Sequence, residues 1–204
     1  TGVRREAILL HATHTHDGGC LIMKGADDDT SGDECPCHAS EIDYLYVRMV
    51  TSRVADAAVR ALADQKPAKL SVARARARRI SFGRRYLMKD GKVRTNPGTG
   101  NPNVVRPVGN AADDEVQVLR IDREGGKSIA VVNFQTHPDT IGGETISADW
   151  PGVVRRTLER SLDGVKCVFV NGAQGDTNQH MCKDQGFARP AERILMHQYM
   201  GHRI

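Results

Sequence analysis

The sequence predicts an α/β fold in which mixed β-sheets are flanked by helices. Three observations lead there. Apolar runs of strand length alternate along the chain with segments of helical period. Two adjacent runs are joined by Arg123-Glu124-Gly125-Gly126-Lys127, a hairpin turn. Three expected strand ends open into polar loops bearing histidine, aspartate or asparagine, and in open α/β sheets ligands gather beyond such ends.

The elements follow in order. Glu6–Thr13 is apolar and leads into His14-Thr15-His16-Asp17-Gly18-Gly19, which reads as a buried strand ending in a polar loop. Residues 24–38 are acidic and turn-rich, a surface loop. Ser40 caps a helix over Glu41–Ala63, where Ile42, Leu45, Met49, Val50, Val54 and Ala57 recur at three and four; Pro67 stops it. Leu70–Ile80 alternates arginine with alanine, the period of a strand with its arginines on one face. Residues 81–112 lack periodicity and read as a long loop, a kind that is usually functional or disordered. Glu115–Asp122 and Ser128–Gln135 are the hairpin strands. Asp149 caps a helix that carries Pro151 in its first turn and runs to about Leu162. Val165–Val170 is a continuously apolar strand ending in Asn171-Gly172-Ala173-Gln174-Gly175-Asp176. A last helix starts near Pro190 and has no C-cap before Ile204.

The 204 residues are enough for one large domain, burying roughly 70–75% of the unfolded chain's surface without disulfides. Residues 1–204 are therefore read as part of a single domain. Hydrophobic residues at 39% and charged ones at 26% exclude a disordered or collagenous chain. No apolar run approaches the ~20 residues of a membrane span. Five cysteines at irregular spacing argue against a disulfide framework. Both ends read as cuts: the chain opens Thr1-Gly2-Val3 and closes inside a helical pattern, so no compartment is assigned.

The histidines carry the chemistry. His14 and His16 follow the first expected strand, His137 follows Ser128–Gln135, and Asp176 and Asn178 follow Val165–Val170, so one converging site is expected. An extended His-x-His sets both imidazoles on one face, about 6–7 Å apart. One can ligate a metal while the other works beside it. Hydrogen-bonded loop histidines are the alternative.

Similar patterns fail on detail. A metallo-β-lactamase-like His-x-His-x-Asp-His would need Asp and His where Gly18 and Gly19 stand. An amidohydrolase barrel would need about eight βα units. Gly125-Gly126-Lys127-Ser128 mimics the tail of a phosphate-binding loop, but Ile121 stands where its first glycine would fall and a strand follows. Cys35-Pro36-Cys37-His38 is half a zinc knuckle without its second half, and reads as solvated loop. The arginine strand has no interleaved aromatics to stack bases, which favours a solvated face over nucleic acid.

With these motifs in place, the chain resembles the neutral/alkaline non-lysosomal ceramidase family in its catalytic N-terminal domain. The family's His-Thr-His-Ser-Gly-Pro is similar to His14-Thr15-His16-Asp17-Gly18-Gly19. Its second zinc-histidine segment is similar to Asn133-Phe134-Gln135-Thr136-His137-Pro138, and its Ser-Ala-Asp-x-Pro-Gly to Ser147-Ala148-Asp149-Trp150-Pro151-Gly152. Its nucleophile loop Gly-Asp-Val-Ser-Pro resembles Gly175-Asp176-Thr177-Asn178-Gln179, and its Asn-Arg-Ser stretch resembles Gly83-Arg84-Arg85. The matches keep family order over positions 6–180.

The resemblance implies a ceramidase-like catalytic domain, incomplete at both termini, with His14 and His137 as ligands to Zn2+. His16 would handle protons or the substrate carbonyl, and Arg84 would anchor substrate or oxyanion. Asn178 stands where the family has its active-site serine, and Asp17 and Gly19 replace Ser and Pro. The family's other zinc ligands, a Glu and a Tyr, lie beyond this chain.

The implied function is a zinc-dependent hydrolase cleaving an amide (N-acyl) bond of a small-molecule or lipid-like substrate with a metal-activated water. The alternative is a catalytically inactive ceramidase-like module binding a lipid, glycan or anionic ligand. A nucleic-acid binder built on Arg74–Arg94 is a third reading, against which the missing aromatics count. Two geometric expectations follow. His14 and His137 come close enough to share one ion, and the 81–112 segment folds over them to bring in Arg84.

Overall fold

The computed structural model describes residues 2–19, 41–98, 100–109, 112–141 and 145–179. The loop 24–38, Cys35-Pro36-Cys37-His38, the cap at Ser40 and the helix from Pro190 lie outside the described residues. The chain packs as two compact units. One comprises Thr1–Leu9 and Gly18–Gln65; the other comprises Leu10–Asp17 and Lys66–Ile204.

The first unit is dominated by α1 (Glu41–Ala63), with the bounds its periodicity predicts. Val47 is buried, whereas Leu45, Met49 and Val54 of the apolar stripe are exposed. The expected strand at the N-terminus is absent. Arg5–Ala7 form a 3-10 turn, and Ile8, Leu9 and Leu10 are exposed. An apolar run becomes a strand only where another strand accepts its backbone, and among the described residues none pairs with this one.

The second unit is built on a four-stranded sheet of β1 (Ala68–Arg76), β6 (Glu115–Arg123), β7 (Ser128–Phe134) and β8 (Val165–Asn171), in the order β1-β6-β7-β8. The first three strands are antiparallel neighbours, while β7 and β8 are parallel, with Ser128 opposite Val165 and Phe134 opposite Asn171. That mixture follows from the connections. A short turn reverses the chain between β6 and β7, while β7 reaches β8 through α2 (Asp149–Ser161), the crossover a parallel pair requires.

Period-two burial puts Ala130, Val132 and Phe134 of β7 inside with Val165, Cys167 and Phe169 of β8. Strand β8, continuously apolar in sequence, is thus buried on one side only, and Val168 is exposed. Trp150 of α2 lies fully buried between Phe134 and Phe169, edge to face at centroid separations of 6.0 and 4.9 Å. Cys167 is free in this core, and burial pushes its thiol up to about 11, so it stays protonated and unreactive.

Strand β1 is exposed along its whole length. Arg74 and Arg76 reach Glu115 and Asp114 at 3.8 and 2.7 Å, which partly neutralises the arginine face. The segment 81–112 is more ordered than its composition suggests. It holds β2 (Phe82–Gly83), β3 (Arg85–Met88), β4 (Val93–Thr95) and β5 (Val104–Pro107). Strands β4-β3-β5 form a separate sheet, and β2 pairs with β9 (Thr177–Asn178). Runs of two to four residues are too short to show a period. The Asp90-Gly91 turn, with Gly91 at φ +78°, was a readable hairpin signal.

Asp149 is not the N-cap that its sequence position suggested, a place taken by Ala148. It is the first residue of α2, buried and in the left-handed region at φ +49°. Its carboxylate accepts hydrogen bonds from Thr140 N (2.9 Å), Thr140 Oγ1 (2.6 Å), Ile141 N (2.9 Å) and Trp150 N (2.6 Å). The side chain therefore ties the loop after β7 to the start of α2. Asp149→Ala removes the acceptor for all four donors and should destabilise the protein by about 2–4 kcal/mol, as loss of bonds to a charged group does. A denaturation midpoint within error of wild type would contradict this account.

Candidate metal centre

Strands β7 and β8 end side by side, and the chain beyond both ends builds the site. After Phe134 the backbone runs Gln135-Thr136-His137, all buried. After Asn171 it turns at Gly172, where a Cβ would lie 2.8 Å from Gln135 Oε1. Glycine lets the two strand ends approach here, and Gly172 N donates to Phe134 O at 3.0 Å.

His137 is the most constrained of the site histidines. Its main-chain N–H donates to Thr177 O (3.2 Å), and its main-chain carbonyl accepts from Trp150 Nε1 (3.1 Å). Its ring Nδ1 faces two carbonyl oxygens, Gln174 O at 2.8 Å and Thr177 O at 3.1 Å. Only a protonated nitrogen can sit there, so the proton is on Nδ1 and the lone pair of the neutral ring is on Nε2.

His14 and His16 come from residues 10–17 of the same unit. His16 N donates to Pro138 O at 3.3 Å, and Thr15 Oγ1 donates to Ser147 O at 2.8 Å. The pair is not extended, as the His-x-His spacing suggested. His14 has φ +65°, and the two Nε2 atoms stand 3.3 Å apart. A left-handed residue bends the chain so that the rings converge, a strain often found at functional sites.

The three rings meet. Centroids are 5.0 Å apart for His14–His16, 5.0 Å for His14–His137 and 5.5 Å for His16–His137. Each offers one nitrogen, and all three lie within 4.8 Å of one another, a grouping that could hold a metal ion.

Two charged residues border the cluster. Asp139 Oδ1 is 3.7 Å from His16 Nδ1. Sequence reasoning missed it, although it follows His137 by two positions. Arg84, half-buried between β2 and β3, is held by its backbone: its N–H donates to Asp176 O at 3.0 Å and its carbonyl accepts from Asn96 N at 2.9 Å. Its guanidinium is near enough to act on both His14 and His137. Loss of solvent lowers the pKa of His14 first, followed by the nearby His16 and Arg84. Burial likewise comes first for His137, followed by Arg84. Both rings are thus biased toward the neutral, ligating form.

That bias has a sign in the stability curve. With folded values below the ordinary 6.5, the folded protein holds fewer protons than the unfolded chain just under that pH. The corresponding stability is present above about pH 6.5 and is lost as pH falls through the lowered values. The metal-free melting temperature should fall between about pH 7 and about pH 5, and the double variant His14→Gln/His137→Gln should fall less steeply. Parallel curves would remove these two rings as the cause.

Asn178 is placed differently. It is buried on β9, opposite Phe82, and its Nδ2 donates to Asn96 Oδ1 at 2.8 Å. Thr177 turns its hydroxyl to Gln174 O at 3.1 Å. Asp176 receives Arg85 Nε at 2.9 Å, an exposed pair that adds little stability. The Gly125-Gly126-Lys127-Ser128 turn leads into strand β7, not a helix, so it lacks the geometry of a phosphate-binding loop. No helix among the described residues is long and apolar enough to cross a membrane.

No protein-family model matches the chain, and no curated protein does. Solved structures do. The crystal structure of neutral ceramidase from Pseudomonas aeruginosa aligns with a TM-score of 0.55 at 19% identity, over 77% of this chain and 24% of that one. A ceramidase complexed with C2 aligns with a TM-score of 0.48 at 19% identity, over 68% of this chain and 21% of that one. The first likeness establishes a ceramidase-like α/β fold, as the motifs anticipated. The chain spans about a quarter of the length of that ceramidase.

Proposed function

We propose that residues 1–204 are part of a single ceramidase-like catalytic domain, belonging to a zinc-dependent hydrolase that cleaves an amide (N-acyl) bond of a small-molecule or lipid-like substrate. The observation that carries this reading is the convergence of His14, His16 and His137. Imidazole nitrogens are ordinary zinc donors. His137 offers Nε2 because carbonyls occupy its Nδ1, the kind of outer contact that orients a ligating ring. His14 and His137 would hold the ion. When bound, zinc supplies a Lewis acid toward a carbonyl oxygen and lowers the pKa of a water it holds.

The chain's own residues divide the remaining work. His16, with Asp139 beside its Nδ1, accepts a proton as water adds to the amide and returns one to the leaving nitrogen. Arg84 presents the planar fork of guanidinium donors to the oxygen that becomes negative. Asn178 cannot form an acyl intermediate, since an amide is no nucleophile. Water therefore attacks the carbonyl directly, and Asn178 serves by holding Asn96.

One observation favours the alternative of an inactive module for a lipid, glycan or anionic ligand: the family serine position holds an amide whose donor is already committed to Asn96. Metal content and turnover on a panel of N-acyl amides separate the readings. The hydrolase reading expects zinc near one per chain and measurable cleavage. Metal-free protein inactive on the whole panel overturns it, and cleavage gained by Asn178→Ser would then identify a lost nucleophile.

A further inference from the structure

We propose that Asn171 is a positioning residue for the histidine site, its side-chain amide clamping together the two segments that carry His14 and His137. Asn171 is the last residue of β8 and is buried opposite Phe134. Its Nδ2 donates to Thr13 O at 3.1 Å and to Thr136 O at 3.3 Å. Each carbonyl belongs to the residue immediately before one of the histidines. The main-chain N–H of Asn171 also donates to His11 Nε2 at 3.1 Å, which adds a second tie to the His14 segment.

The residue type suits the task. Only the nitrogen end of a carboxamide can face two carbonyl oxygens, so the partners fix its orientation. Both amide hydrogens go to the clamp, while the buried Oδ1 has no partner among the described residues. No ladder pairing joins residues 10–17 to β8. Main-chain bonds such as His16 N to Pro138 O also tie the His14 segment to the chain around His137, and the Asn171 side chain adds a contact that reaches both sides at once. An aspartate would set oxygen against oxygen, and a serine could reach one carbonyl at most.

The test uses Asn171→Leu, which keeps the size and removes the donors. Its metal readout rests on the zinc reading above; its ring readout does not. Zinc affinity by chelator competition should weaken about 10–100-fold, the usual cost of losing an outer partner. In metal-free protein, NMR contacts between the His14 and His137 ring protons, expected at a 5.0 Å centroid separation, should disappear. Val116→Ala in the core should lower the melting temperature yet keep both readouts, which separates positioning from general destabilisation.

Wild-type affinity together with an intact ring contact in Asn171→Leu overturns the clamp. A wild-type protein that takes up no zinc overturns the zinc reading, and the ring contact alone then decides the clamp. Should Asn171→Leu fail to fold, Asn171→Ser is read by the same two measurements.

Discussion

His137→Ala should lose bound zinc and amide turnover together. His14 and His16 lie two residues apart on one exposed segment, whereas His137 is buried and comes from the other side of the cluster. Its ring is held by Gln174 O and Thr177 O, and its carbonyl by Trp150. Removing it leaves two exposed imidazoles, a poor site for an ion that favours four ligands. Loss of an outer partner commonly costs 10–100-fold in metal affinity, so loss of a direct ligand should exceed about a hundredfold. His16→Ala should lose turnover while keeping most of the metal, because its proposed work is proton transfer. Full turnover in metal-free His137→Ala protein would rule out the mechanism. Circular dichroism matching wild type is required before either loss is ascribed to the site.

The largest effect on stability is expected from Trp150. Its indole fills the space between Phe134 and Phe169, and its Nε1 donates to the carbonyl of His137 at 3.1 Å. Trp150→Ala opens a cavity at the centre of the core and should cost about 3–5 kcal/mol. Trp150→Phe keeps most of the packing but leaves the His137 carbonyl without its donor, at about 1–3 kcal/mol. The unfolding must be followed by circular dichroism, since Trp150 is the only tryptophan. The difference between the variants separates packing from the hydrogen bond that joins core to site. A cost below about 1 kcal/mol for the alanine variant would mean that this core does not carry the second unit.

The same residues show how far local pattern reaches. Local pattern located α1 by its helical period and the hairpin of β6 and β7 by its Gly-Gly turn. It located the crossover helix α2 by its Asp149 and Pro151 start, and β8 as an apolar run, because each of these signals lies within its own segment. His137 was legible for a related reason: it follows an apolar strand, and in α/β sheets polar residues beyond strand ends tend to meet. His14 and His16 were marked by their His-x-His pattern, since the apolar run before them forms no strand. Periodicity failed where an element is shorter than its own repeat, as in β2 to β5. It also failed at the N-terminus, where Ile8, Leu9 and Leu10 form an apolar run without a pairing strand.

What only the tertiary structure decided is how the histidines are held. His14 reaches the other rings through a left-handed backbone that no residue preference announces. The tautomer of His137 depends on the carbonyls of Gln174 and Thr177, and the clamp at Asn171 on those of Thr13 and Thr136. Every residue carries a carbonyl, so sequence cannot mark which ones will accept. Their roles arise when the fold brings Thr13 to Asn171 across 158 positions and Thr136 across 35. Residue type thus determined which groups could bind a metal. Parallel pairing of β7 with β8 brought the ends of those strands together, and main-chain hydrogen bonds beyond them oriented the rings.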